Sequence, residues 1–261
     1  MTDLADRYER DGCLVVDPLL STETIQRLRQ RTGEIVEGQT RFPVESIELE
    51  PGAMSASLST VRKLNDCALY DDVFRAHADH PDILDIVESL IGPDIKLFDA
   101  QMFMKPPGGI EKTYHQDSAY FPLDPQEVVT CWTAVDDVTV ENGCMYVIPG
   151  SHEQDISVHD DLEGSQQQEF KLARDARDED GIAIEAPPGA VIWFHSHLLH
   201  KSTDNHSQRF RRSYVSHYLS AQAEWTNQEK PGRGQPIMWI RGQTFAGKVQ
   251  EVERELLPVT D

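Results

Sequence analysis

The feature that most constrains the fold is a change of hydropathy pattern at about residue 95. From there to about residue 225, the chain breaks into short runs separated by Pro, Gly and Asn. Runs of this kind are typical of β-strands, and several in succession predict a β-sandwich or jelly roll. They read IKLFDAQMFMKP, EVVTCWTAVDDVTV, CMYVIPG, GIAIEAPPGAVIWFH and RRSYVSHYLSA. Asn142-Gly143, which lies between two of these runs, predicts a tight hairpin.

Helical patterns lie mostly within residues 20–95, upstream of the strands. Ser21 offers an N-cap for a helix over about 22–37. Pro81 opens a clearer helix, whose apolar residues recur at helical spacing until Gly92 ends it. We therefore expect two amphipathic helices before the strands begin.

We expect a single domain over residues 1–261, because the chain shows no internal repeat and no low-complexity linker. Its predicted class is mainly β with flanking helices, and the helices pack on one sheet of a β core at about 95–225. A polar, acidic stretch at about 153–180 is longer than most loops. We interpret it as an insert that partly covers the functional site.

The charge balance excludes several classes of partner. The chain has 45 acidic and 24 basic residues and a net charge of −21, so its surface repels nucleic acid and anionic membranes. No run approaches the ~20 apolar residues of a membrane span, and the N-terminus lacks a signal-peptide pattern. The four cysteines form no CxxC pair, which favours free thiols in the cytoplasm over a zinc-thiolate site. Nothing in the sequence fixes an oligomeric state.

The motif His115-Gln116-Asp117 suggests a metal site. Residues two apart on a strand face the same side, so His115 and Asp117 can reach one ion together. An HxD alone is weak evidence, since a core histidine bonded to a carboxylate gives the same pattern. With a second histidine, two imidazoles and one carboxylate would occupy one face of an octahedron and leave the other open. That arrangement is typical of non-haem iron(II) oxygenases.

A second cluster follows the apolar run AVIWFH. His200 supplies a distal imidazole, and Arg211 follows on the next predicted strand. The planar guanidinium suits the far carboxylate of a dicarboxylic co-substrate, and Ser202 can add a hydroxyl. His195 and His197 form an HxH and could ligate metal in a different triad. We favour His200, because Ser202 and Arg211 stand at fitting offsets from it.

Neighbouring polar residues have simpler interpretations. His217 shares the predicted strand of Arg211 and is either a residue behind the metal ligands or a core histidine. His152 is expected to fix a loop through a hydrogen bond. Strand alternation turns Arg209 and Arg212 away from Arg211, towards solvent or acidic partners.

Four motifs, taken in order, resemble the phytanoyl-CoA dioxygenase family of iron(II)- and 2-oxoglutarate-dependent oxygenases. They are HQD, ENGC, PGSH and H-x-S-x-x-N-x-x-x-x-x-R. The run DGCLVVDPLLSTETIQRLR near the start extends the resemblance over most of the chain. The family's fold is a double-stranded β-helix, a cupin-like jelly roll with flanking helices, which agrees with the change of pattern at residue 95.

The resemblance implies a ligand set and a co-substrate. By position, His115, Asp117 and His200 would bind Fe(II), at which O2 would react. Arg211 and Ser202 would hold the C5 carboxylate of 2-oxoglutarate. Further contacts with the co-substrate would come from Lys63, Gln101, Gln116 and Trp132.

The resemblance also implies a dioxygenase that hydroxylates a small-molecule substrate and releases succinate and CO2. The same chemistry can end in desaturation, cyclisation or epimerisation, and a non-catalytic metal-binding jelly roll is the alternative from another class. Asp117 argues against the halogenating relatives, which need that position vacant for chloride. The net charge disfavours a CoA ester unless charge is inverted locally, and Lys201 would lie at the site rim. The predicted substrate wall is partly apolar and comprises Phe103, Tyr114, Tyr120 and Phe121.

Overall fold

The structure is a computed structural model that describes residues 2–121, 123–124, 127–161, 171–226 and 237–249. Most of its regular elements are strands. The helices are α1 (Thr2–Asp11), α2 (Thr22–Val36), α3 (Cys67–Tyr70), α4 (Asp72–Ala78) and α5 (Pro81–Ile91). The strands are β1 (Cys13–Val16), β2 (Ile47–Leu49), β3 (Val61–Leu64), β4 (Ile95–Lys105), β5 (Lys112–His115), β6 (Leu123–Asp124), β7 (Val128–Ala134), β8 (Met145–Val147), β9 (His159–Asp161), β10 (Lys171–Ala173), β11 (Ile182–Ile184), β12 (Val191–His195), β13 (His200–Ser202), β14 (Arg211–Ser220), β15 (Glu224–Trp225) and β16 (Met238–Arg241).

Two antiparallel sheets face each other. The larger sheet runs in the order β1, β12, β7, β14, β4, β3 and β2, with β16 joined to β4. The smaller sheet runs β11, β8, β13 and β5. Neighbours in space are distant in sequence, as in a jelly roll, where the chain crosses repeatedly between two sheets. The predicted class, mainly β with flanking helices, is confirmed, while the single domain over 1–261 stays a prediction.

The helices cover the outer face of the larger sheet. Tyr214 and Tyr218 point into them from β14, and both rings are buried. Their hydroxyls donate to the carbonyls of Phe74, at 3.2 Å, and Ala78, at 2.8 Å. The rings therefore leave water while each hydroxyl keeps a partner, so their burial stabilises the helix–sheet contact.

Both predicted helices are present close to their predicted bounds. Helix α2 begins at Thr22, and the Ser21 hydroxyl before it accepts from the Thr24 N–H at 3.1 Å. Helix α5 begins at Pro81 and ends before Gly92, whose φ is 86°. The sequence does not predict α1, because its ten residues are mostly charged or polar. Within the described ranges, no helix is both long and apolar enough to cross a membrane.

The inner face of the larger sheet encloses a second core and a cavity. Trp132, Ile192 and Val215 from this sheet pack with Met145 and Val147 from β8 of the smaller sheet. Beside this core lies a cavity of about 250 Å³ between the two sheets. Because strand residues alternate between faces, β7 and β14 contribute to the helix-covered core with one set of side chains and to the cavity with the other.

The predicted hairpin at Asn142-Gly143 is wrong. The two residues form a tight turn with Gly143 at a φ of 84°, but the flanking strands β7 and β8 lie in different sheets. The turn carries the chain from one sheet to the other. A Cβ at Gly143 would lie 2.4 Å from the carbonyl oxygen of Thr203, so close backbone approach also requires glycine.

The insert predicted at 153–180 lies partly outside the described residues, which omit 162–170. Its described ends form the β9–β10 pair. Ala173 packs with Tyr114 and Leu199. These two residues directly precede His115 and His200, which line the cavity. By alternation, this contact lies on the outer side of the smaller sheet. The described part contacts this outer side, and partial cover of the site by the insert stays a prediction.

Candidate active site

The three predicted metal ligands converge at one end of the cavity. His115 ends β5, Asp117 begins a 3-10 turn two residues later, and His200 lies opposite His115 in the β5–β13 register. The Nε2 atoms of both histidines lie 3.7 Å from Asp117 Oδ1. All three side chains are buried, and their ligand atoms lie within 4.8 Å of one another. No other group of this kind occurs among the residues that the structure describes.

Hydrogen bonds fix which nitrogen of each imidazole faces the centre of this triad. His115 Nδ1 donates to the Thr113 carbonyl at 2.8 Å, and His200 Nδ1 donates to the Leu198 carbonyl at 2.9 Å. A neutral imidazole has one N–H, so both Nε2 atoms present lone pairs to the centre. Within the described ranges, the buried Nε2 of His115 has no hydrogen-bond partner. Backbone carbonyls orient metal-binding histidines in this way.

Asp117 is oriented from behind by a short chain of hydrogen bonds. Thr130 Oγ1 donates to Asp117 Oδ2 at 2.8 Å, and lies 3.0 Å from His217 Nδ1. Because the hydroxyl has one proton, it must accept from His217. The chain leaves Asp117 Oδ1 facing the two ligand histidines. His217 therefore lies behind the ligands, which was one of its two predicted roles.

The electrostatics of the triad favour metal binding. Burial lowers the pKa of His115 well below its usual value, helped by the nearby Lys112, and burial also lowers the pKa of His200. Burial alone would raise the pKa of Asp117, but His200 and His217 outweigh it and the pKa is lowered. At neutral pH the triad holds two neutral imidazoles and one carboxylate, the protonation state that binds a divalent metal.

Two buried cations lie at the other end of the cavity. Arg211 begins β14 and pairs in register with Lys105, the last residue of β4. Their exposed fractions are 5% and 8%. Lys105 Nζ donates to Ser202 Oγ at 2.9 Å, and Arg211 Nη1 donates to Ser213 Oγ at 3.1 Å. Lys105 thus bonds to Ser202 and lies opposite Arg211, the two residues that the sequence predicts to hold a carboxylate.

This end of the cavity favours a bound anion. Like charges directly opposite each other on a sheet repel, and Arg211 Nε has no hydrogen-bond partner among the described residues. Burial lowers the pKa of Arg211 to about 10, so the guanidinium stays charged at neutral pH. Burial lowers the pKa of Lys105 well below its usual value, and the positive charge of Arg211 lowers this pKa further. A carboxylate would relieve both effects by accepting hydrogen bonds from the two cations.

The two ends of the cavity lie along one face of β14. Arg211 and His217, which stands behind the metal ligands, are six positions apart on β14. At about 3.3 Å per residue, this separation is about 20 Å along the strand. The Arg211 side chain extends into this gap, because its Nη1 donates to Ser213 Oγ and its guanidinium lies 5.8 Å from the Trp132 ring.

Three of the four further co-substrate contacts predicted from the sequence line the cavity. The Trp132 ring lies 5.8 Å from the guanidinium carbon of Arg211. Gln101 and Lys63 line the wall beside it. Lys63 also forms an ion pair with Glu48 at 3.0 Å. The structure therefore places these three where contact with a co-substrate is possible.

Gln116 is different, and its predicted contact with the co-substrate does not fit the structure. Its side chain faces away from the cavity, because it lies between His115 and Asp117, which face inwards. Its Nε2 donates to the His197 carbonyl at 2.7 Å, and its Oε1 accepts from the Ser157 N–H at 2.8 Å. The amide thus ties two loops together behind the site.

The alternative histidines lie outside the site. The rings of His195 and His197 are 5.0 Å apart, with the His152 ring 5.6 Å from His195, and none of the three lines the cavity. His152 Nε2 lies 3.0 Å from the carbonyl of Glu9 in α1, which agrees with the predicted loop-fixing hydrogen bond. The arrangement favours His200 as the third ligand.

The arginines near Arg211 bind acids outside the cavity: strand alternation turns Arg212 away from Arg211, and Arg209 precedes β14. Arg212 binds Asp136 through two nitrogens, at 2.8 and 2.9 Å. Arg209 pairs with Asp137 at 2.9 Å. Arg211 therefore faces the cavity while its neighbours bind acids outside it.

Three of the four aromatic residues predicted to form the substrate wall line the cavity, and their contact with substrate stays a prediction. Phe103, Tyr120 and Phe121 line the cavity, as does Lys201 at its rim. Tyr114 does not line it, because it precedes His115 and so faces the other side of β5. Its ring instead stacks under the Lys201 ammonium group, 4.9 Å from the ring centre.

Several cavity residues were missed by reasoning from the sequence. Strand alternation carries the signal for most of them. Asp99 and Lys105 lie two and four positions from Gln101 and share its face of β4, and Thr130 lies two positions from Trp132 and shares its face of β7. Phe194, whose ring lies 4.6 Å from the His200 ring, carries no such signal. The missed residues are Asp99, Lys105, Thr130 and Phe194.

Comparison with known proteins identifies the family. The family profile described as phytanoyl-CoA dioxygenase (PhyH) matches residues 8–213. The peroxisomal phytanoyl-CoA dioxygenase of Rattus norvegicus is 30% identical over 243 residues, which cover 87% of this chain and 72% of that protein. The range matched by the family profile, 8–213, contains all three predicted metal ligands and Arg211.

Solved structures agree on the fold. The apo form of the non-heme monooxygenase ThoJ superposes with a TM-score of 0.76 at 23% identity, covering 97% of this chain and 89% of that chain. The epimerase SnoN, solved with Fe3+, alpha ketoglutarate and nogalamycin RO, gives a TM-score of 0.71 at 24% identity, covering 87% and 86%. The jelly-roll fold predicted from the sequence is thus confirmed. The chain belongs to the phytanoyl-CoA dioxygenase family and is an enzyme of the oxygenase class.

Proposed function

We propose that the protein is an iron(II)- and 2-oxoglutarate-dependent dioxygenase that hydroxylates a small molecule and releases succinate and CO2. One observation carries the proposal: a His–Asp–His triad and two buried cations line the same cavity. A protein that only bound metal would need no such cations, which argues against a non-catalytic metal-binding module. Membership of an oxygenase family supports the same function.

The donor set of the triad suits iron(II). Two imidazoles and one carboxylate, with further positions open, are the ligands of non-haem iron oxygenases. The orphaned Nε2 of His115 is the kind of buried atom that a metal would satisfy. When bound, iron(II) supplies the activation of O2, coupled to oxidative decarboxylation of 2-oxoglutarate, so that one oxygen atom enters succinate and the other enters the substrate.

The protein's own residues bind, orient and shield the reactants. Arg211 and Lys105 would donate to the C5 carboxylate of 2-oxoglutarate, with the Trp132 ring beside them. Thr130 keeps Asp117 Oδ1 turned towards the metal position. Apolar rings that line the cavity would exclude water around the bound reactants, which would strengthen these charged contacts.

The cavity favours a small substrate over a CoA ester. Its volume of about 250 Å³ is below the roughly 300–1,000 Å³ of common ligand pockets, and the co-substrate takes part of it. Six basic and three acidic residues line it, so charge is inverted locally. However, Arg62 and Lys63 contact Glu48 at 3.3 and 3.0 Å, and Lys201 pairs with Asp178. These rim cations are therefore partly neutralised and offer a weak hold on a polyanion.

Other outcomes of the same chemistry have distinct products. Hydroxylation adds one oxygen atom to the substrate, desaturation or cyclisation removes two hydrogen atoms, and epimerisation leaves the mass unchanged. Mass spectrometry of the product separates the three. For location we propose the cytoplasm, because Cys13, Cys67, Cys131 and Cys144 are free thiols.

The proposed function is tested by anaerobic titration with iron(II) and then 2-oxoglutarate. We expect a visible charge-transfer absorption when the chelate forms, lost in His115→Ala and kept in His197→Ala, which changes a histidine outside the site. No band in the wild-type protein, or an unchanged band in His115→Ala, would refute the proposal. Release of succinate with candidate substrates then tests turnover.

A further inference from the structure

A row of side chains on β4 runs the length of the cavity. Lys105 at one end pairs in register with Arg211, and Asp99 at the other end pairs with His217. Paired residues on antiparallel strands have Cβ atoms roughly 5 Å apart. Asp99 therefore lies beside the residue that supports the metal ligands, at the end of the cavity away from the proposed co-substrate carboxylate.

A β-bulge interrupts β4 immediately before Asp99. The β4–β14 register shifts between His217, opposite Asp99, and Tyr218, opposite Leu97, which leaves Phe98 as the extra residue. Such bulges re-aim side chains and are frequent beside active sites. Here Phe98 packs against Phe121, with ring centres 4.6 Å apart, while Asp99 lines the cavity.

Asp99 is buried without a full set of partners. Its exposed fraction is 5%, and its Oδ1 has no hydrogen-bond partner among the residues described. Burial, with Asp66 adding to it, raises the Asp99 pKa to about 7. Lys63, the cation that favours the charged form, already contacts Glu48. An unsatisfied buried carboxyl is unfavourable, so a bound group that donates to it would stabilise the site.

The other acids of the cavity have different surroundings. Asp117 faces the metal position, and Glu50 lies at the half-buried rim, where the charge of Arg62 acts on it. At the far end, the positive charges of Lys105 and Arg211 would repel a cationic substrate. Among the described lining residues, Asp99 is therefore the acid best placed to receive a cation close to the metal.

We propose that Asp99 binds the substrate, and that the substrate is a small molecule carrying a protonated amine. This inference rests on the proposed function, since it assigns the Lys105–Arg211 end to 2-oxoglutarate. An ammonium group at Asp99 forms charge-assisted hydrogen bonds with a buried carboxylate. It also holds the neighbouring carbon atoms of the substrate beside the triad, in the cavity that Tyr120 and Phe121 line.

The test uses the full chain loaded with manganese(II) and 2-oxoglutarate, which binds without turnover. Thermal shift and calorimetry would compare primary amines, alcohols and carboxylates built on the same small carbon skeletons. The variants are Asp99→Asn and Asp99→Leu. Asp66→Asn is the matched control, because it removes a nearby carboxylate that does not line the cavity, and asparagine tolerates the left-handed conformation at this position.

We expect amines to bind most tightly to the wild-type protein and to lose about tenfold or more in affinity in both Asp99 variants. Affinity for 2-oxoglutarate should stay the same in every variant, which also shows that each one folds. Tighter binding of alcohols or carboxylates, no binding of any amine, or unchanged amine affinity in the Asp99 variants would overturn the inference. A wild-type protein that fails to bind 2-oxoglutarate would instead refute the proposed function.

Discussion

Replacing Arg211 with methionine should stabilise the ligand-free protein while it weakens the binding of 2-oxoglutarate. Burial lowers the Arg211 pKa from 12.5 to about 10, which corresponds to about 3 kcal/mol. Because the pKa is lower in the folded chain, the charged form favours unfolding at every pH below about 10. Methionine removes that cost and gives up the bond to Ser213, worth about 1 kcal/mol. The free energy of unfolding should therefore rise by about 2 kcal/mol.

The same substitution should raise the Kd for 2-oxoglutarate by a factor of about 100 to 10,000. A guanidinium can give two charge-assisted hydrogen bonds to the C5 carboxylate, each worth about 1.5–3 kcal/mol. Each 1.4 kcal/mol corresponds to about tenfold in affinity. Calorimetric unfolding without ligand should show a melting temperature about 2–4 °C higher, and titration calorimetry with manganese(II) present should show the weaker binding.

Arg212→Met is the matched control for this experiment. Arg212 is the next residue, but it faces away from the cavity and binds Asp136 at 2.8 Å. Its replacement should lower stability slightly and leave the affinity for 2-oxoglutarate unchanged. A less stable Arg211→Met protein that still bound 2-oxoglutarate normally would refute the view that this end of the cavity is an anion site.

Three further predictions concern the support of the site. Thr130→Val removes the bond that orients Asp117 and should weaken iron(II) binding about 10- to 100-fold by anaerobic titration; unchanged affinity would contradict this role. Gly143→Ala places a Cβ 2.4 Å from the Thr203 carbonyl oxygen at a positive φ and should cost about 2 kcal/mol or more in chemical denaturation. The site histidines have lowered pKa values, so the unfolded chain binds more protons, and apoprotein stability should fall below about pH 6.5. A melting temperature constant from pH 7 to 5 would contradict this.

Local periodicity explains why the triad could be predicted from the sequence. His115 and Asp117 stand two apart, which places them on one side of the chain wherever a strand forms. His200 followed from its offsets to Ser202 and Arg211 in a family motif. Alternation also argues against Tyr114 and Gln116 as cavity residues, because each lies next to a residue that faces inwards.

The juxtaposition of the second cation, Lys105, with Arg211 could not be predicted, because it depends on strand pairing. Lys105 faces Arg211 only through the register of β4 and β14, two strands far apart in sequence. The position of Asp99 beside His217 depends on the same register. The turn at Asn142-Gly143 shows the same limit. Its residues define a tight turn, but which strands pair on either side is decided by contacts distant in sequence.

The most direct test of the central claim is a crystal structure obtained anaerobically with iron(II) and 2-oxoglutarate. Anomalous scattering at the iron edge should place one ion between His115 Nε2, Asp117 Oδ1 and His200 Nε2. The C5 carboxylate should lie within hydrogen-bond distance of both Arg211 and Lys105. Iron bound elsewhere, for example among His152, His195 and His197, or a co-substrate carboxylate remote from Arg211, would contradict the account.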